Sequence, residues 1–208
     1  MSTPFSFRRV ARECALRAIY TCELSQVSLD DALELTFDAF HDDEQLEDLT
    51  KGVEYPDATL DLVFRFARAL AKGAWQHRVG LDRTLSAAIP DYDYNRLAAV
   101  DRNVMRLALH ELHDYPYIPP AVTINEAVEM AKKYSTAESG KFVNGVLGTV
   151  LKQTLKANFD PKNAPEDPDL GEAERIFRAP KVELEEETIE ADSEQGKLVN
   201  RFGWTIKQ

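Results

Sequence analysis

Apolar residues along the first 150 positions recur at helical spacing, and no stretch alternates in the manner of a strand flanked by hairpin turns. Ala11, Ala15, Ala18, Ile19 and Cys22 mark one face of a helix over about 8–24, with Ser6 placed to cap it. A second helix opens after Ser28, where SLDD reads as a capping box, and ends near Phe40. Residues 41–57 interrupt the pattern with an acidic loop. Asp57 then caps a long helix over about 58–78, with Leu60, Val63, Phe64, Ala67, Ala71, Ala74 and Trp75 inward. A shorter helix covers about 81–89 and stops at Pro90 and the YDY run. The next spans about 96–114, with a break expected near Asp101 and Val104, Leu107, Ala108 and Leu112 facing the core. PYIPP ends it, because proline cannot continue a helix.

Two more helices follow, joined by a polar break. Thr123 with Glu126, and Ser135 with Glu138, have capping-box spacing. Phe142, Val143, Val146, Leu147, Val150 and Leu151 carry the second apolar run. Around the break stand Lys132, Lys133, Tyr134, Lys141 and Phe142. Cations for phosphates and ring faces for unstacked bases are what a single-stranded nucleic-acid site needs. Arg8, Arg9 and Arg12 add a second cluster. Positive charge at a helix N-terminus opposes the helix dipole, and a phosphate ligand would resolve that conflict. These elements predict an all-α domain over residues 1–156, built from two packed helical bundles.

Charge changes the picture only when it is resolved by segment. The net charge of −11 argues against nucleic acid as a partner for the whole chain. Yet residues 1–22 are net +3 and 62–156 net +4, while 28–61 carry −11 and 157–208 carry −6. Local charge governs contact within roughly 8–10 Å at physiological salt. The segment from 157 onward is rich in proline and acid, and it reads as an extension that would compete with phosphate for cations. Near its end Phe202, Trp204 and Ile206 alternate, as in a short strand or a docking segment. No apolar run is long enough for a membrane span, and MSTPFSFRRV lacks the apolar core of a secretory signal. Cys14 and Cys22 lie about 12 Å apart along one helix, too far for a disulfide. Buried free thiols fit a reducing cytoplasm.

Three stretches together resemble the NusB family of bacterial transcription antitermination factors. They are RRVARECALRAIYTCELS from Arg8, VDRNVMRLALHELHDYPYIPPAVTINEAVEMAKKY from Val100, and VTINEAVEMAKKYSTAESGKFVNGVL from Val122. Their order suits the family over much of residues 8–155, while 28–61 match poorly and nothing after about 156 matches. The resemblance implies about seven helices in two sub-bundles, no catalysis and no cofactor. It implies binding of boxA-like single-stranded RNA together with NusE, a small ribosomal subunit protein. In that setting RNA polymerase would continue elongating through ribosomal RNA operons. It assigns RNA contact to Arg8, Arg9, Arg12, Lys132, Lys133, Tyr134, Lys141 and Phe142, with Glu138 at the RNA-facing edge limiting affinity by repulsion. It places Tyr20, Asn95, Asp101 and Arg106 at the NusE surface, although Asn95 departs from the acidic residue expected there. Some family members pair as homodimers that hide the RNA surface, so monomer and dimer both stay open.

Other readings are weaker. Asn125-Glu126 invites an acid–base reading, but capping explains Glu126. His110 and His113 are three apart, whereas a zincin helix needs four and a further ligand. Gly145 and Gly148 sit inside an apolar helical run, where close approach of another helix would explain them. A relative of the RNA-binding domain of a ribosomal RNA cytosine methyltransferase would need an α/β domain with a glycine-rich loop, which these residues do not show. A helical protein–protein adaptor without RNA binding is favoured by the overall acidity.

Overall fold

The computed structural model describes residues 6–39, 57–169 and 171–173. The acidic loop expected over 41–57 and the segment around Phe202, Trp204 and Ile206 fall largely or wholly outside these residues. Among the described residues there are seven α-helices of ten residues or more and no strand. They are α1 (Ser6–Ser25), α2 (Leu29–Asp38), α3 (Asp57–Gln76), α4 (Arg78–Ala87), α5 (Ala99–Asp114), α6 (Pro120–Tyr134) and α7 (Ala137–Leu151).

α1, α2 and α3 pack as one group and α5, α6 and α7 as another. The two groups share one hydrophobic core, because α5 lies between them and touches α1, α3, α4, α6 and α7. Its residues from Asn103 to Leu112 are all buried, which is why MRLALHEL is apolar around most of its circumference. The polar exceptions, Arg106, His110 and Glu111, each find a partner.

Local chemistry sets the helix ends. Ser28 caps α2 by accepting from the Asp31 amide at 3.1 Å. α1 ends where Gln26 takes a left-handed φ of 54°, a conformation that usually calls for glycine. α5 is continuous; the break expected near Asp101 lies earlier, at a 3-10 turn over Tyr94–Arg96 and the extended Leu97 and Ala98. Asp93 caps that turn by accepting from the Asn95 amide.

The two capping boxes expected for the last helices do not form. Pro120 occupies the first turn of α6, where a missing N–H costs nothing, so the helix starts three residues before Thr123. Thr123 then points inward and donates to Glu111 at 2.5 Å, while Glu126 pairs with Arg9. α7 is capped by Thr136, which accepts from the Ser139 amide at 3.1 Å, rather than by Ser135.

The glycine expectation is also corrected. A Cβ at Gly145 or Gly148 would meet nothing within 4 Å among the described residues, so none of the described helices approaches there. The crowded positions are Gly73, where a Cβ would overlap the His110 ring, and Gly140, where it would lie 2.8 Å from the Lys132 stem.

The chain does not leave the fold at residue 156. A 3-10 turn over Leu155–Asn158 buries Lys156, whose ammonium donates to the carbonyls of Ile118 (2.7 Å) and Glu111 (3.3 Å). Residues 160–169 then bring Asp167 and Asp169 onto Arg8, and Ala173 is fully buried. One compact unit accordingly runs Met1–Arg178.

Candidate nucleic-acid interface

α1 lies beside α6, and polar contacts bind them along their length. Arg9 makes a two-point contact with Glu126 at 2.8 and 3.0 Å. Glu13 accepts from Lys133 at 2.8 Å and from the Tyr134 hydroxyl at 2.5 Å. The Arg17 guanidinium stands 5.8 Å from the centre of the Tyr134 ring. Burial, then the hydrogen bond to Glu13, raise the Tyr134 hydroxyl above the usual phenol range. For Lys133 burial pulls the other way, but its bond and charge contact with Glu13 raise it on balance. Both groups therefore hold their protons throughout the physiological range.

The turn into α7 carries the next part. The stem of Lys132 crosses Gly140, whose missing side chain leaves the space. Lys132 pairs with Glu129 at 2.7 Å, and Lys141, 77% exposed, pairs with Glu138 at 3.1 Å. Phe142 is half-buried, and the Tyr92 ring lies 5.9 Å away at a tilt of 51°. Tyr92 is 51% exposed, so the two rings form an aromatic step beside Lys141. In the sequence the YDY run signals only a helix break, and nothing local singles out Tyr92. Gly140 escapes notice for the same reason: its use depends on a side chain from another helix.

Exposed cations on this surface are thus Arg9, Lys132, Lys133 and Lys141, each beside a carboxylate. The two pairs exposed on both sides, Lys132–Glu129 and Lys141–Glu138, are worth about 0–1 kcal/mol, so a phosphate can replace the carboxylate there at little cost.

Arg8 and Arg12 were expected to present charge to phosphate, and the structure turns both inward. Arg12 donates through Nε and Nη2 to Glu111 at 2.8 and 2.9 Å, deep in the core. Arg8 donates to Asp167 and Asp169, with Phe7, Phe66 and Tyr117 rings 5.1–5.3 Å from its guanidinium carbon. The signal was present in the spacing: 8 and 12 continue the 15 and 19 stripe that carries Ala15 and Ile19.

The residues expected to face a protein partner divide the same way. Tyr20 is 37% exposed, and Asn95 is exposed. Asp101 is buried and accepts from the Ser139 hydroxyl at 2.9 Å. Arg106 is buried too, held by both oxygens of Asp82 at 2.7 Å and by Asn103 at 2.8 Å. Asp82 also accepts from Tyr94, and Glu23 accepts from Arg102 and Asn103. Neither Asp101 nor Arg106 is available to a partner in this conformation, because each satisfies a group inside the fold. His110 places Nδ1 2.8 Å from Asp114 and packs over Gly73, and no metal-binding cluster occurs among the described residues.

A model of the NusB family matches residues 9–152. The chain belongs to the NusB family. The transcription antitermination protein NusB of Symbiobacterium thermophilum is 37% identical over 148 residues, covering 70% of this chain and 89% of the relative. NusB of Myxococcus xanthus is 36% identical over 143 residues, covering 69% and 93%. Among solved structures, T. maritima NusB superposes with a TM-score of 0.57 at 32% identity, covering 74% of this chain and 94% of that one. The antitermination factors NusB and NusE in complex with double-stranded RNA give a TM-score of 0.56 at 24% identity, covering 71% and 97%. At that identity the likeness bears on the fold alone. NusB relatives are transcription antitermination factors and not enzymes. The NusB match ends at 152, so the segment that pairs with Arg8 lies beyond it.

Proposed function

We propose that this chain is a transcription antitermination factor. It binds boxA-like single-stranded RNA together with NusE, and so keeps RNA polymerase elongating through ribosomal RNA operons. The observation that carries this reading is the surface at the α1–α6–α7 junction. Arg9, Lys132, Lys133 and Lys141 supply phosphate contacts; Tyr134, Phe142 and Tyr92 supply ring faces for bases. Glu138, beside Lys141, sets a limit on affinity. Arg12 holds the scaffold behind that surface. Tyr20 and Asn95 are the exposed residues of the proposed NusE face, and Asp101 and Arg106 keep its backbone in place.

The rival reading is an adaptor that does not touch RNA, and one observation favours it: every exposed cation of the junction already has an acidic neighbour. Titration of labelled boxA-type RNA with NusE present, across a salt series, separates the two. For a single strand, each phosphate that a cation neutralises contributes about 0.7 to the slope of log affinity against log salt. The double change Lys132→Ala with Lys133→Ala should therefore flatten it by about 1.4. Absence of RNA binding at low salt, with NusE bound, would leave the adaptor reading standing.

A further inference from the structure

We infer that the acidic residues Asp167, Asp169 and Glu172 form a phosphate mimic built into the chain. It occupies Arg8 at the start of α1 and Arg65 midway along α3, and it restrains RNA binding; the inference rests on the RNA reading above. Three observations carry it. The first is the mode of contact. Asp167 accepts from two nitrogens of Arg8 with two oxygens, the fork geometry by which arginine also takes a phosphate. Asp169 reaches both Arg8 (3.3 Å) and Arg65 (3.1 Å), and Glu172 reaches Arg65 at 2.8 Å. Three acids thus gather on two arginines, as successive phosphates would.

The second is an imperfect fit. The Nε of Arg8 is buried with no hydrogen-bond partner among the described residues. The strap satisfies only part of the guanidinium, which leaves a buried donor without a partner, an arrangement that weakens the closed state. A ligand able to reach that edge would gain what the strap forgoes. The third is placement. Asp167 and Asp169 are mostly covered but reach solvent at 11% and 17% side-chain exposure, while Arg8 behind them is at 6%. The strap lies outside and the arginine inside, so release of the strap uncovers the cation. Arg9, the next residue, is already exposed on the proposed RNA face. A tethered anion meets its site at high effective concentration, so it competes strongly without tight intrinsic binding.

The test uses the full chain with NusE and labelled boxA-type RNA. Asp167→Asn with Asp169→Asn is compared with a charge-matched control, Asp61→Asn with Glu166→Gln. The strap variant should bind RNA more tightly than the control, on the order of tenfold at low salt, with a slope steeper by about 0.7. Adding Arg8→Lys, which keeps the charge but loses the fork, should reverse most of that gain. A second measurement uses the unaltered chain. RNA should accelerate hydrogen exchange at the amides of Asp169 and Ala173, which bond within the strap to Asp167 and to the Asp169 carbonyl. RNA affinity equal to the control, with or without a lower melting temperature, would overturn the inference and leave a structural clasp. Undiminished protection of both amides in the RNA complex would overturn it equally. No RNA binding by any of the proteins would remove the RNA reading itself, and the inference with it.

Discussion

Arg12→Leu separates an arginine that builds the fold from one that binds RNA. Glu111 is 1% exposed, and Arg12 meets both of its oxygens, with the Thr123 hydroxyl as third partner. Removing the guanidinium leaves a buried carboxylate with one neutral donor. Breaking a buried pair in this way costs about 3–5 kcal/mol. The Lys156 ammonium bonds the carbonyl of Glu111 itself and compensates in part, so the lower end applies, near ~3 kcal/mol. In a chain of this size each kcal/mol moves the melting temperature by about 2–4 °C, which makes the expected drop about 6–12 °C. Replacing both members, Arg12→Leu with Glu111→Leu, should recover most of that loss, because an apolar pair of similar volume leaves no charge unpaired. Urea denaturation of the two single variants and the double variant gives the coupling, which should exceed about 1.5 kcal/mol. The salt slope of RNA binding, measured well below the melting temperature, should not move. A melting temperature within about 2 °C of the parent, the shift expected from about 0.5–1 kcal/mol, together with a flattened slope would refute the reasoning. Arg12 would then be acting at the surface.

Other expectations follow from the same geometry. Arg9→Ala should flatten the RNA salt slope by about 0.7, while stability changes by less than about 0.5 kcal/mol, since its pair with Glu126 is exposed; a large stability loss would contradict this. Tyr92→Ala should weaken RNA binding by roughly 1–3 kcal/mol, the worth of one base stacked on a ring, and unchanged affinity would remove Tyr92 from the site. Burial lowers Lys156 from 10.5 to about 8, and the nearby Arg12 adds to this against the attraction of Glu111. Below pH 8 both folded and unfolded chains carry this charge, and its full burial cost is present. Between pH 8 and 10.5 the folded chain releases the proton first, so the stability of the parent relative to Lys156→Met should rise, by roughly 3 kcal/mol at most. Denaturation midpoints of the two proteins from about pH 7 to 10.5 check this, and a constant difference would sink it.

The helices themselves were legible in the chain, because helical periodicity is a local property. Ala11, Ala15, Ala18 and Ile19 announced α1, and all are fully buried. Ser28 announced the start of α2, and it caps the Asp31 amide as its position implies. The all-α architecture and the family followed from such local patterns and from the order of three segments. The basic, aromatic character of the α6–α7 turn was also local, since Lys132, Lys133, Tyr134, Lys141 and Phe142 are close in sequence. The partner of each charge was not. Spacing alone sets Arg8 and Arg12 on the buried stripe of α1 and Arg9 off it, but only tertiary packing supplies the groups that satisfy them. Glu126 meets Arg9 at the surface, Glu111 meets Arg12 in the core, and Asp167 reaches Arg8 from 159 residues away. The same holds for Tyr92, paired with a ring as distant in sequence as Phe142, and for Gly140, whose purpose is the stem of Lys132. Periodicity is encoded within a turn or two of chain, whereas the partner of a charge depends on which distant segment folds against it.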